Sequence, residues 1–276
     1  MRRVLPLMLS ALVLALPLSA QAQVDVDALQ AQSVGEHRSA DNRARNEYRH
    51  PVQTLTWLGI EPTMTVVEIW PGGGWYTEIL APYLRENGKY YGAGFVVDSP
   101  DTPDYRKRYQ KAFEDKLSAA PDLYDQAILN PLGAPDSWLP APAGSADAVV
   151  TFRNVHNWVQ GGFDQEMFDS FFKMLKPGGV LGIVEHRADP DTSIEDMKTS
   201  GYVTEALVKA RAKKAGFKLV GETELNANPA DNHKHPKGVW TLPPSLRLKD
   251  QDRAKYQAVG ESDRMTLKFV KPADNS

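Results

Sequence analysis

The stretch Thr65-Val66-Val67-Glu68-Ile69-Trp70-Pro71-Gly72-Gly73-Gly74-Trp75-Tyr76-Thr77 constrains this chain more than any other. A short run rich in β-branched residues meets a proline–triglycine turn, and a helix-period segment at 75–84 comes next. A strand that passes at once into a helix is the first half of a βαβ unit, which argues against an all-β sandwich or a helical bundle. Glycines at such a turn let a ligand approach the backbone and leave N–H groups open at the start of the helix. A tight turn alone would also use glycine, so the rest of the chain has to decide what this one does.

Strand-period and helix-period segments alternate along most of the chain beyond this turn. Strands are expected at 89–97, 147–152, 180–184, 217–225 and 264–270, and helices at 105–117, 163–175 and 203–215. The 105–117 helix is expected to bury Tyr105, Tyr109, Ala112, Phe113 and Leu117 on one face. Leu175-Lys176-Pro177-Gly178-Gly179 reads as a stop and turn before the strand it feeds. The pattern predicts an α/β fold with a largely parallel sheet, occupying residues 63–276 and interrupted by a long loop at 226–263. Residues 23–62 read as an N-terminal helical lead-in, with a charged stretch at 36–49 that carries four Arg.

Residues 1–22 are of a different kind. Arg2 and Arg3 precede a nearly all-apolar run at 4–18, and Ala20-Gln21-Ala22 supplies the small-x-small pattern of signal peptidase sites. That run is shorter than the roughly 20 residues a membrane-spanning helix needs. The expectation is a cleaved signal peptide, a periplasmic or secreted protein, and no stable membrane insertion after cleavage. The chain has no Cys, which excludes disulfides, thiolate metal sites and a cysteine nucleophile. Its 35 acidic and 32 basic side chains leave no basic excess, so no nucleic-acid partner is expected.

In Val66-Val67-Glu68-Ile69-Trp70-Pro71-Gly72-Gly73-Gly74, in 147–158, in 175–184 and in Arg264-Met265-Thr266-Leu267-Lys268-Phe269, the chain resembles the class I S-adenosylmethionine-dependent methyltransferases. It looks most like an exported bacterial predicted-methyltransferase group, over roughly residues 45–225 and 263–271. The resemblance implies a Rossmann-like seven-stranded, mostly parallel sheet with helices on both faces and the last strand antiparallel. It also implies S-adenosyl-L-methionine as cofactor, lying across the carboxyl ends of the strands. Glu68, Trp70, Gly72, Gly73, Gly74, Asp98 and Asn154 are then the cofactor-binding candidates. Two positions depart from the family pattern: Trp70 stands where the first glycine of the turn is usual, and Gly94 falls where an acidic residue ends the second strand. Asp98 is the nearest carboxylate to that second position.

The remaining candidates sit at strand ends. Arg153-Asn154-Val155-His156-Asn157-Trp158 comes after the 147–152 strand, and Glu185-His186-Arg187 after the 180–184 strand. If those strands are neighbours, the clusters meet at one sheet edge, the place where this architecture puts chemistry. His156 is the candidate general base, Glu185 its orienting partner or a base itself, and Arg153 a contact for an anionic substrate. A structural hydrogen bond for His156 and a surface salt bridge for Arg153 are the plainer alternatives. Asp231, His233 and His235 in the long loop have metal-ligand chemistry, yet exposed loop histidines are common and no metal is expected. Trp70, Trp75, Tyr76 and Trp158 either wall a pocket or fill the core, with the pocket favoured for Trp75 and Tyr76. The expected activity is methyl transfer to a small-molecule acceptor, with a catalytically silent binding module of the cell envelope as the alternative.

Overall fold

A computed structural model of the protein describes residues 23–100, 102–133 and 135–273. The signal peptide expected at 1–22 lies outside these residues. Among them, no helix is long and apolar enough to cross a membrane.

The lead-in is helical, in four short pieces: α1 (Val26–Val34), α2 (Ala40–Ala44), α3 (Asn46–Arg49) and α4 (Pro51–Leu58). Asp25 caps α1 by accepting from the Ala28 N–H at 2.9 Å, and Ser39 caps α2 through the Asn42 N–H. Pro51 opens α4 where its missing N–H costs nothing, and Gly59 closes it in the left-handed region at φ +81°.

The alternating part continues as β1 (Thr65–Ile69), α5 (Thr77–Leu84), β2 (Lys89–Gly94), α6 (Asp104–Ser118), α7 (Pro121–Tyr124), β3 (Ile128–Pro131) and β4 (Ala146–Phe152). Next come α8 (Val155–Gly161), α9 (Asp164–Met174), β5 (Leu175–His186), α10 (Ile194–Ser200), α11 (Glu205–Ala215) and β6 (Lys218–Thr223). The chain ends with α12 (Arg253–Val259) and β7 (Arg264–Val270). Among the described residues seven strands form one sheet, in the order β3-β2-β1-β4-β5-β7-β6, and the short strand Pro236–Val239 lies outside it. The neighbours from β3 to β5 pair in parallel, and β7 runs antiparallel between β5 and β6. This is the Rossmann-like methyltransferase fold, with its last strand antiparallel.

The period-2 alternation of the strands divides the core into two layers. Val67, Ile69, Val149, Leu181 and Ile183 face α8, α9 and α11, where Phe168, Phe171 and Met174 are fully buried. Val66, Ala148 and Val150 face α4 and α5, against Leu55, Leu58, Ile79 and Leu80. The lead-in therefore supplies part of this second layer. Gly182 makes the docking possible, because a Cβ there would stand 2.6 Å from Leu58. Burying a leucine of this kind contributes roughly 2 kcal/mol.

Two expectations need correction. Residues 175–179 belong to β5: Leu175 already pairs with Ala146, and the chain kinks at Gly178 (φ +80°) without leaving the strand. On α6 the buried stripe is Gln110, Phe113 and Leu117, whereas Tyr105 and Tyr109 are 43% and 52% exposed. The two tyrosines lie a turn too early for the sheet and reach the mouth of a cleft instead.

Candidate active site

Strand order reverses between β1 and β4, since β2 and β3 lie on one side of β1 while β5 lies beyond β4. Open α/β sheets bind ligands outside the carboxyl ends of the strands at such a switch point. Asn154 bridges this point, its Nδ2 donating to the Ile69 carbonyl at 2.8 Å and to the Trp70 carbonyl at 3.3 Å. Directly above lies a cleft of about 400 Å³. Its lining draws on the glycine turn (Trp70, Gly72, Gly73), the β4 end (Arg153, Asn154, His156) and the β5 end (His186). The lead-in adds Arg45 and Arg49, and the long loop adds Trp240 and Pro243.

The turn forms an open floor. Gly72 takes φ +60°, a Cβ on either Gly72 or Gly73 would meet nothing within 4 Å, and neither N–H has a backbone partner among the described residues. Gly74 is different, because at φ +76° its Cβ would press on Phe113 at 3.0 Å. It packs α5 against α6 and does not line the cleft.

Trp70 also holds a left-handed backbone, φ +45°, a conformation costly for a bulky residue. Its N–H donates to Ala93 at 2.8 Å and its indole N–H to the Leu132 carbonyl at 2.9 Å. Its ring lies 4.8 Å from Phe95, and the Arg106 guanidinium sits 4.8 Å over it. The side chain thus roofs the ends of β2 and β3 instead of standing free in the cleft. Trp75 also lines the cleft, sandwiched between the guanidiniums of Arg38 and Arg49 at 4.5 Å each. Tyr76 and Trp158 are core residues, Tyr76 stacking on Phe152 at 3.5 Å.

The two strand-end clusters meet as expected, because β4 and β5 are parallel neighbours. Glu185 is fully buried beneath α8. One oxygen accepts from the Val155 N–H at 2.5 Å and the His156 N–H at 3.4 Å. The other accepts from the His186 N–H at 2.8 Å and lies 3.0 Å from His156 Nδ1. With the carboxylate ionised, His156 carries its proton on Nδ1, which leaves Nε2 with a lone pair. His156 lines the cleft and Glu185 stands behind it, which is the geometry of a base and its orienting partner. His186 packs beside them, 5.3 Å from His156 ring to ring, with its Nδ1 at 2.5 Å from Ser262 Oγ. Burial, and then the nearby His156, push the His186 imidazole well below its ordinary range, so it is neutral.

Two further cofactor candidates, besides Gly74, lie away from the cleft. Pleat parity puts Glu68 on the same face as Val66, under the turn, where it accepts from Thr77 Oγ1 and the Tyr90 hydroxyl, each at 2.7 Å. Burial raises its carboxyl to about 7 against the pull of those two hydroxyls. Asp98 is exposed and outside the lining, since β2 ends at Gly94 and the chain turns away. Gly94 is closed off as well, since a Cβ there would run into the Gln110 amide.

The loop histidines do not pair. His233 is held between Asp189 (2.8 Å) and Asp263 (3.2 Å), and the hydrogen bond it donates to Asp263 pushes it up to about 9. It is an imidazolium and offers no lone pair to a metal. His235 is spent on Asp231 at 2.8 Å. Among the described residues, His156, Glu185 and His186 are the group with metal-capable atoms close together, within 4.8 Å. Glu185 already gives both of its oxygens to N–H donors.

Arg153, the expected anion contact, belongs to an arginine cluster whose other members the sequence pattern does not mark. Arg45, Arg49, Arg153 and Arg264 converge on the cleft from α2–α3, the β4 end and the start of β7. Glu261 accepts from Arg45 Nε at 2.5 Å, from Arg49 Nε at 3.1 Å, and from Arg264. The three guanidiniums hold the Glu261 carboxyl well below the usual range, although burial opposes them. Arg153, in the left-handed region at φ +62°, is pushed down to about 10, by burial first and by Arg264 next. The available signals were the Arg-rich run at 36–49 and Glu261–Arg264 just ahead of the last strand.

No family model matches the chain, and no curated protein matches it in sequence. Many solved structures share its fold. A SAM-dependent methyltransferase from Aquifex aeolicus superposes with TM-score 0.53 at 15% identity, over 90% of this chain and 100% of its own. A phosphoethanolamine N-methyltransferase from Haemonchus contortus, in complex with S-adenosyl-L-methionine, gives 0.56 at 14% identity, over 90% of this chain and 56% of its own. The (4+2)-cyclase SpnF gives 0.55 at 14% identity, over 91% and 86%. At such identities the likeness establishes the fold, and the fold hosts more than one chemistry.

The cleft fits S-adenosylmethionine at two points. The open Gly72–Gly73 floor leaves room and free N–H groups, and the guanidiniums answer its carboxylate. Among the described residues no Asp or Glu lines the cleft, so none of them answers its ribose hydroxyls.

Proposed function

We propose that this protein is an exported S-adenosylmethionine-dependent methyltransferase acting on a small acceptor in the periplasm or outside the cell. The observation that carries the reading is the cleft at the β1–β4 switch point. An open glycine floor forms one wall, and a histidine backed by a buried carboxylate forms the other. The opening 22 residues support export.

Gly72 and Gly73 would hold the cofactor's methionine end, with guanidiniums from the cluster on its carboxylate. Bound there, the cofactor supplies an electrophilic methyl carbon. This chain's own residues do the rest. His156 Nε2 takes the proton from the acceptor's nucleophilic atom. Glu185 fixes the imidazole by its Nδ1–H and stabilises the imidazolium that forms. Asn154 ties β4 to β1, and so sets the distance between floor and base. Trp240 and Pro243 from the long loop wall the cleft against solvent. Most of the rate then comes from alignment of the reactants.

A second reading, a binding module without methyl transfer, draws on one observation. Trp70 and Gly94 stand where this fold's cofactor sites usually present a glycine and a carboxylate. Calorimetric titration with S-adenosylmethionine and S-adenosylhomocysteine decides. No heat at millimolar ligand ends the methyltransferase reading, and binding without turnover for any acceptor leaves the module.

A further inference from the structure

Among the described residues, the lining of the cleft contains five arginines, Arg45, Arg49, Arg106, Arg153 and Arg264, and no carboxylate. Behind four of them lies a single acid, Glu261, 2% exposed. It uses one Nε of Arg45, one Nε of Arg49 and one terminal nitrogen of Arg264. Arg45 Nη2, Arg49 Nη1 and Nη2, and Arg264 Nε are buried without a hydrogen-bond partner. Arg49 and Arg264 are each only 2% exposed. Arg153 has no side-chain hydrogen-bond or ion-pair partner among the described residues. One carboxylate against four guanidiniums leaves about three positive charges uncompensated at the wall of one cleft.

Such an arrangement is unfavourable in a protein alone. Burial and the charges of Arg153, Arg45 and Arg264 all weaken protonation of Arg49, with Glu261 the one opposing charge. Arginine holds its proton even so, and buried charge without a partner costs several kcal/mol. Guanidiniums gathered at one cleft carry the planar N–H forks that bind phosphoryl and carboxylate groups bidentately. The cofactor's own carboxylate accounts for only one of the three charges.

We infer that the Arg45–Arg49–Arg153–Arg264 cluster is the binding site for a small oxyanionic ligand carrying at least two negative charges, a phosphoryl or polycarboxylate compound. The inference deepens the reading above by naming the class of its acceptor, yet the anion site has its own test. His156 stands on the same cleft wall, so an acceptor anchored by its anionic group places its nucleophilic atom beside the base.

Purified protein is titrated with inorganic pyrophosphate and with citrate at constant ionic strength, and separately with S-adenosylhomocysteine. Binding of pyrophosphate at sub-millimolar concentration is expected, with a rise in melting temperature. Arg153→Gln and Arg45→Gln should each weaken it about tenfold or more, as loss of a charge-assisted contact does. Arg153 has no ion pair to lose, so its variant should fold even if the Arg45 variant does not. Citrate binding in place of pyrophosphate supports the site and assigns it to carboxylates. Heat no greater than chloride gives at matched ionic strength, or affinity unchanged in a folded Arg153→Gln, overturns the proposal. Failure of the S-adenosylhomocysteine titration alone removes the methyl donor and leaves the anion site standing.

Discussion

Glu68 offers the sharpest test of how this fold uses its carboxylates. It lies 3% exposed on the α5 face of β1, with two hydroxyls donating to one of its oxygens. Burial lifts its carboxyl from 4.5 to about 7, and the Tyr90 and Thr77 hydroxyls only moderate the rise. The folded protein therefore keeps the proton over a range in which the unfolded chain has lost it. Where the native state binds more protons, stability falls as pH rises, by up to 1.36 kcal/mol per pH unit for one group. Between pH 4.5 and about 7 the loss amounts to about 3 kcal/mol, a sizeable part of a typical domain's stability. Glu68→Gln removes the titration and keeps the shape. Urea unfolding at half-unit steps from pH 5 to pH 8, monitored by fluorescence of the six tryptophans, measures both proteins. Most of that loss should appear in the wild type and be absent from the variant. Subtracting the two curves cancels His233 and other groups that titrate nearby. Parallel curves across the range would refute the argument, and would mean that Glu68 is solvated and free to meet a ligand.

The cleft itself sets three further outcomes. Its positive wall should favour S-adenosylhomocysteine over the cationic S-adenosylmethionine by about tenfold or more at low salt, narrowing as salt screens the guanidiniums; equal affinities at 50 mM and 500 mM salt would contradict the electrostatics. Gly72→Val should leave a folded protein about 1–2 kcal/mol less stable, because φ +60° disfavours a side chain, and should abolish cofactor binding in calorimetry; unchanged affinity would reduce the turn to a structural role. Glu261→Gln withdraws the counter-charge from Arg45, Arg49 and Arg264 and should cost about 3–5 kcal/mol in urea, part of it restored by pyrophosphate. A cost below about 1 kcal/mol would show that the cluster does not depend on that carboxylate.

Local pattern carried the frame of the molecule. The β1–turn–α5 unit and the strands at 147–152, 180–184 and 264–270 stand where periodicity puts them, and the last runs antiparallel as the family resemblance implies. The meeting of His156 with Glu185 was legible for the same reason, since two parallel neighbours must end at one edge. Glu68 was misplaced by attention to its position along the strand and not to its parity. Counting from Val66 puts it inside the α5 layer. Asp98 lies outside the cleft lining because β2 stops four residues earlier, and no propensity marks that stop. The arginine cluster was out of reach for a different reason. Arg49 and Glu261 are 212 positions apart, and their contact exists only once α4 has docked on the sheet. Pattern reading sees neighbours three or four residues apart, so a site assembled from such distant segments leaves only its charges as a trace.

That docking changes what the lead-in is. Residues 23–62 read as an appendage to an α/β domain, yet they place two of the four guanidiniums and a share of the second core layer. Leu58 lies on Gly182, in the strand that ends at Glu185 and His186. Arg45 and Arg49 meet Glu261, three residues before β7 and one before the Ser262 that holds His186. The lead-in thus closes on the edge of the sheet that carries the base, through apolar contacts at one end and ion pairs at the other. A cleft built this way owes its floor to the fold and its charge to what was added around it. A cationic methyl donor gains nothing from a wall of guanidiniums beyond a partner for its carboxylate. The surplus charge is therefore best explained by the second ligand, the one the fold does not specify.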